Sequence, residues 1–136
     1  LNINASIESV GVTESGAMDI PRNPDNVAWF NLGPQPGENG TAVIDGHSGW
    51  RNNRPAVFDN LSQLKVGDNI YVENKKGETI VFIVTGFQTF DPNEDATNVF
   101  SSTLGGSYLN LITCSGFWDE TKKTHSNRLV VFSKKQ

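Results

Sequence analysis

Three side chains able to carry acyl-transfer chemistry stand at the ends of strand-like runs: a thiol, an imidazole and a guanidinium. Cys114 is the chain's one cysteine and closes the run Tyr108-Leu-Asn-Leu-Ile-Thr-Cys. The run alternates polar and apolar residues like a half-buried strand, and Ser115-Gly116 after it opens a loop. A lone cysteine makes no internal disulfide, so its role is packing or chemistry, and free cysteine is among the most buried residue types. His47 closes Gly40-Thr-Ala-Val-Ile-Asp-Gly-His, a short apolar strand running into a glycine. Arg128 opens Arg128-Leu-Val-Val-Phe-Ser, the last strand-like run. Together they would supply a nucleophile, a proton carrier and an anion stabiliser.

Such a trio works only if strands deliver it to one place. An antiparallel pairing of the Cys114 run with the Arg128 run, which the 13 intervening residues permit, sets the end of one beside the start of the other. His47 joins them if its strand lies parallel to that of Cys114. Cysteine ordinarily titrates near 8.5 and histidine near 6.5, so an uncoupled pair holds thiolate and imidazolium together in roughly one molecule in a hundred at neutral pH. A nearby arginine favours the thiolate and disfavours the imidazolium, while burial opposes both charges.

The elements that must do the positioning read as strands. Segments rich in β-formers occur at Ser6–Thr13, Val27–Phe30, Thr41–Asp45, Asn69–Glu73, Thr79–Gln88, Tyr108–Thr113 and Arg128–Ser133, with Gly, Pro and Asn between them. Val66-Gly-Asp and Lys75-Lys-Gly-Glu read as turns, the second joining a hairpin. Val57–Leu64, with Phe58, Leu61 and Leu64 at helical spacing, is the best helix, about two turns long. Asp91–Thr97 reads as a loop with a turn of helix. The fold class is all-β, a closed or nearly closed barrel, which leaves few exposed edges.

The same residues carry a resemblance to a known family. Leu-Ile-Thr-Cys ending at Cys114, the Gly-His end of the His47 strand, and an arginine heading a terminal Val-Val-Phe strand resemble the sortases, cysteine transpeptidases of the bacterial surface. Gly16-Ala-Met-Asp-Ile-Pro-Arg-Asn-Pro-Asp-Asn-Val-Ala-Trp-Phe and Gly33-Pro-Gln-Pro-Gly-Glu-Asn-Gly are similar to the stretch before the histidine in class E and class F sortases. The likeness runs from about Leu1 to Ser133. Asp45, where many relatives carry a small residue, and Ser48-Gly-Trp after the histidine depart from the pattern. The resemblance implies an eight-stranded barrel with one or two short helices and catalysis by His47, Cys114 and Arg128. It implies as partners a sorting-signal peptide of the Leu-Pro-any-Thr-Gly kind and an amine acceptor, a cell-wall precursor or a pilin lysine.

Composition bounds the alternatives. The 136 residues suit one domain, residues 1–136, and the net charge of −4 without a Lys/Arg stripe argues against nucleic acid. No apolar run approaches the roughly 20 residues that span a bilayer. Beginning at Leu1, the chain reads as the soluble part of a longer protein whose leader or N-terminal membrane anchor is missing, located at the outer face of the membrane and monomeric. It carries no N-terminal segment long enough to be an inhibitory lid, so the site is expected to be open. No cofactor is required by this chemistry. His47, His125 and Cys114 lack paired metal-ligand spacing, and Asp91, Glu94 and Asp95 show no alternating oxygen ligands for calcium.

Weaker candidates surround the trio. The Thr113 hydroxyl is placed to hold a substrate carbonyl or the arginine, against its reading as an ordinary β-branched strand residue. Trp50 and Trp118, three and four residues after His47 and Cys114, either wall a substrate groove or anchor their loops. His125 reads as a solvated histidine. Three function classes follow: a transpeptidase, a thiol endopeptidase with water as acceptor, and a non-enzymatic surface barrel with Cys114 buried.

Overall fold

Seven strands form where β-branched and aromatic residues alternate with polar ones between Gly, Asn and Pro punctuation. They are β1 (Ile7–Val10), β2 (Val27–Phe30), β3 (Gly40–Gly46), β4 (Asn69–Glu73), β5 (Thr79–Phe90), β6 (Ser107–Asp119) and β7 (Thr124–Lys135), with one short helix, α1 (Thr97–Phe100). The structure, a computed structural model, describes residues 3–14, 16–50, 54–91, 97–100, 105–119 and 124–136; at 97–98, 114–119 and 124–126 the description is of the backbone.

The strands join in one strongly curled sheet, a half-barrel, in the order β1-β2-β3-β6-β7-β5-β4. The expected all-β class holds, but the sheet has seven strands among the described residues, not eight, and its edges β1 and β4 are not hydrogen-bonded to each other. Side chains from both edges, including Ile3, Ile7, Ile70 and Val72, instead line a cavity of 410 Å³ with Phe58 and Leu111. All seven sequence-expected strands are present. β6 and β7 run well past Thr113 and ahead of Arg128, because each residue added to a long antiparallel pair continues the ladder.

Alternation along the strands divides the sheet into two faces. Ala42 and Ile44 of β3, Leu109 and Leu111 of β6, and Val131 of β7 bury against Phe58, Leu61, Phe82 and Val84 on the inner face. Ile112, Val130 and Phe132, at the alternate positions, pack with Phe90 and Val99 on the outer face.

The expected helix over Val57–Leu64 is only a 3-10 turn at Leu61–Gln63, with Leu61 N–H bonded to the Phe58 carbonyl and Leu64 N–H to that of Leu61. Phe58, Leu61 and Leu64 are all buried. Their spacing of three matches 3.0 residues per turn, whereas 3.6 would carry them off the core. Lys75-Lys-Gly-Glu does close the β4–β5 hairpin: Asn74 Oδ1 accepts from the N–H groups of Lys76 and Glu78, and Gly77 takes φ 80°. The loop with a turn of helix expected at Asp91–Thr97 falls mostly on residues 92–96, outside the described ones, and α1 begins at Thr97.

Gly46 is where this packing presses hardest on the rim. A Cβ there would meet Phe58 Cδ2 at 2.6 Å and Val57 Cγ1 at 2.9 Å, so β3 can pass this close to the 57–58 segment only as glycine. Gly46→Ala is expected to destabilise the fold by about 1–3 kcal/mol, the usual cost of overpacking. Gly86→Ala, with open space around it, is expected to stay within about 0.5 kcal/mol of wild type. Denaturant midpoints of the two variants check this.

Candidate active site

The rim of the sheet is assembled by two registers. Across the antiparallel β6–β7 pair, Cys114 stands opposite Arg128. β3 runs parallel to β6 with Asp45 opposite Ile112. One step further, the Thr113 hydroxyl donates to the Gly46 carbonyl at 2.8 Å and ties the two strand ends together. β3 ends at Gly46, and His47 follows it directly. Paired residues share a face, so positions 114 and 128 belong to the outer face, with Asp45, Ile112 and Val130. The pairing expected from the sequence, antiparallel for arginine and parallel for histidine, is the one found.

His47 is half-buried and held on two sides. Its Nε2 lies 2.7 Å from the Pro21 carbonyl oxygen. A carbonyl only accepts, so Nε2 carries the proton, and the neutral ring keeps its lone pair on Nδ1. Trp50 meets the imidazole edge to face, with centroids 4.7 Å apart and planes at 69°. The backbone is fixed as well: Phe58 N–H donates to the His47 carbonyl at 3.0 Å. Trp50 thus packs on the histidine, which the sequence left open between groove wall and loop anchor.

Arg128 is half-buried between Cys114 on β6 and Phe90 on β5, and its Nη1 donates to the Asn127 carbonyl at 3.4 Å. Thr113 is buried, and its one proton is committed to Gly46. Its hydroxyl keeps lone pairs but has no second proton for a substrate carbonyl. Trp118 and His125 are paired across the β6–β7 ribbon, which places His125 in a strand where a polar loop was expected. The side chains of Cys114, Trp118 and His125 lie outside the described ones, as do Glu94 and Asp95 of the calcium reading. Among the described residues no group of three or more His, Cys, Asp or Glu side chains is placed to hold a metal ion.

Beside the rim sits a carboxyl that sequence reasoning noted only as a departure. Glu8, Ala28, Asp45 and Ile112 form one continuous row across β1, β2, β3 and β6. Ala28 is fully buried between the two acids. Asp45 Oδ1 is buried without a hydrogen-bond partner among the described residues. Burial pushes the Asp45 carboxyl from an ordinary 3.8 up to about 8, with the negative charges of Asp19 and Glu8 adding to the rise and its own backbone N–H opposing it. A carboxyl inside the apolar run Thr41-Ala-Val-Ile-Asp was the available signal, since such groups are seldom buried unpaired.

A family model described as the sortase domain matches residues 1–136. Among solved structures, the chain is similar to sortase C-1 from Actinomyces oris, with 29% identity and a TM-score of 0.67, covering 82% of this chain and 59% of that one. It is also similar to the Pilus Island 1 sortase C2 of Group B Streptococcus (24% identity, TM-score 0.71, 96% of this chain and 65% of that one). A lid mutant of sortase A from Corynebacterium diphtheriae matches at 24% identity and a TM-score of 0.70, over 93% of this chain and 68% of that one. The last two, at this identity, bear on the fold alone. The chain spans about three fifths of the length of the Actinomyces oris protein. Comparison with curated proteins gave no match.

The Asp45 carboxyl gives the fold a pH signature. Below about pH 4 folded and unfolded chains both carry its proton; between there and about 8 only the folded chain does. Stability contributed by this group is therefore full at acid pH, falls as pH rises across that window, and levels off above it. Asp45→Asn, which keeps the shape of the neutral acid, is expected to raise the melting temperature above wild type at pH 8 and to match it near pH 4. Melting curves of both proteins across the window check the sign, and a constant offset between them would contradict it.

Proposed function

The chain belongs to the sortase family, and from that premise we propose that it is a cysteine transpeptidase in which Cys114, His47 and Arg128 form the catalytic group. The observation that carries this reading is the joint register of β3, β6 and β7, in which Cys114 stands opposite Arg128 and the Thr113 hydroxyl is bonded to Gly46, the residue before His47. A sorting-signal peptide of the Leu-Pro-any-Thr-Gly kind is the substrate, and an amine of a cell-wall precursor or a pilin lysine is the acceptor. The protein works at the bacterial surface. No helix among the described residues is long and apolar enough to cross a membrane. The stretches from Gly16 to Phe30 and from Gly33 to Gly40 support a place nearest class E and class F, although the similar solved structures above are sortases C and A.

Two acyl transfers make up the reaction. The Cys114 thiolate attacks the scissile carbonyl, and the charge that develops on oxygen is met by the Arg128 guanidinium and by backbone N–H groups. The C–N bond then breaks, and the leaving amine takes a proton from the His47 imidazolium. With Nε2 bonded to Pro21, that proton travels through Nδ1. The thioester is opened by the incoming amine, which gives its proton back to Nδ1 as the cysteine sulfur leaves. Water in place of the amine gives the hydrolase. Trp50 is assigned a supporting part, packed on the imidazole. Thr113 acts through the strand ends it joins, and Trp118 is assigned to the groove wall.

The decisive experiment incubates the protein with a fluorogenic sorting peptide, with and without an added amine, and identifies the products. A peptide–amine adduct is expected with the amine present, and Cys114→Ala is expected to fold normally and abolish cleavage. Turnover at the wild-type rate in that variant would remove the thiol from the mechanism; hydrolysis alone, whatever the amine, would select the endopeptidase.

Arg128 is tested by its shape. Lysine keeps the charge and loses the planar fork that offers two donors to one oxygen. Loss of one oxyanion donor costs about 2.7–4 kcal/mol, so Arg128→Lys is expected to slow acylation by roughly 100–1,000-fold with the fold intact. Pre-steady-state acylation measures this, and a rate within about threefold of wild type would take Arg128 out of the site.

A further inference from the structure

The loop that carries the Pro21 carbonyl is fastened from a distance, by one carboxylate on the edge strand. Glu8 of β1 accepts three hydrogen bonds from it: Arg22 N–H to Oε1 at 3.1 Å, Asn23 N–H to Oε2 at 3.3 Å, and the Asn26 side-chain amide to Oε2 at 3.1 Å. The two backbone donors belong to the residues directly after Pro21. Pro21 is itself fully buried, and its carbonyl takes the His47 Nε2 proton at 2.7 Å. Further along, Val57 N–H donates to Pro24 at 2.9 Å, and Phe58 N–H donates to His47, which closes the loop's other side onto the same histidine.

We propose that Glu8 is a positioning residue for His47, acting through the Pro21–Asn23 backbone to hold the imidazole as its Nε2–H tautomer with Nδ1 free to carry the proton. The catalytic half of this statement rests on the transpeptidase reading; the structural half does not. Glu8 touches neither the histidine nor any reacting atom. Its effect follows from the chemistry of its partners. Two consecutive N–H groups turned onto one carboxylate fix the peptide planes after Pro21, and with them the direction of the Pro21 carbonyl. Without the carboxylate those donors turn to water, and the carbonyl no longer selects one ring nitrogen. The Arg22 N–H, the largest influence, holds the Glu8 carboxyl below its ordinary range, with Asn26 and Asn23 adding to it against partial desolvation. The carboxylate is therefore present at every pH at which a cysteine transpeptidase would work.

The other β1 polar contact provides a control. Ser9 Oγ accepts from the Asn31 side chain at 3.0 Å, a hydrogen bond of similar kind that does not lead to the Pro21 loop. Imidazole 15N spectra, peptide cleavage and melting temperature are to be measured on wild type, Glu8→Ala, Glu8→Gln and Ser9→Ala. Wild type is expected to show the Nε2–H tautomer alone. Glu8→Ala is expected to show a mixture and a fall in kcat of about tenfold to a hundredfold, the scale of a misplaced catalytic group. Glu8→Gln, which keeps one acceptor oxygen, is expected to lie between, and carries the test should Glu8→Ala not fold. Ser9→Ala is expected to change neither spectrum nor kcat. An unchanged tautomer in a folded Glu8 variant would overturn the proposal, as would an equal response to Ser9→Ala. If wild type showed no Cys114-dependent cleavage, the transpeptidase reading would fall while the spectra still decided the role of Glu8.

Discussion

Everything at the rim depends on the parallel register of β3 on β6. Asp45 opposite Ile112 fixes which residues of the two strands share a face, and a slip of one residue would send every side chain of β3 to the other side. The register is enforced by the inner face and at the strand end. On the inner side Ala42 and Ile44 are buried with Leu109 and Leu111. At the end the Thr113 hydroxyl is bonded to Gly46, and Gly46 lets the strand pass against Phe58 with no room for a methyl. β7 then copies the frame onto Arg128 through the longest antiparallel ladder in the molecule. The rim is the consequence of core packing, continued one or two residues past the core.

The outer face follows a different logic. It holds a smaller apolar cluster around Phe90, Val99 and Val130, and toward the other edge it carries an acid on β3 and another on β1. Glu8 and Asp45 stand on one row with only Ala28 between them, yet they have opposite fates. Glu8 is surrounded by donors and stays ionised, whereas Asp45, its Oδ1 buried without a hydrogen-bond partner among the described residues, is pushed toward its neutral form. Two like charges so close would each raise the cost of the other; neutralising the buried one removes that cost.

Much of this could be read from residue order, and the failures have physical reasons. β2 and β4 were legible to the residue, because short runs of β-forming residues are bounded by Asn26 and Asn31 in one case and by Asp68 and Asn74 in the other. The antiparallel and parallel pairings at Cys114 followed from where the chemistry-bearing residues sit in their strands. The 57–64 segment misled because a spacing of three serves a 3-10 turn as well as a helix. The strand count depended on resemblance, and the sheet instead leaves β1 and β4 unpaired across a cavity. The part played by Glu8 was not legible at all. Its contacts reach 14 to 18 residues along the chain and go mostly to backbone N–H groups, which every sequence supplies and none advertises.

The neutral state of Asp45 bears on the proton balance of the rim. A thiolate and an imidazolium must exist together for the proposed reaction, and a guanidinium favours the first while opposing the second. A carboxylate has the reverse effect. Asp45 is two residues from His47 in the chain, about 6–7 Å if extended. Ionised there, with little water to screen it, it would stabilise the imidazolium and hinder the thiolate. Protonated, it adds no charge, and the Glu8 carboxylate is hydrogen-bonded to the loop that bonds Nε2. Of the two acids on this row, Asp45 in its neutral form thus adds no charge beside the histidine, while the ionised Glu8 lies on β1, separated from β6 by β2 and β3, and acts through the Pro21 loop.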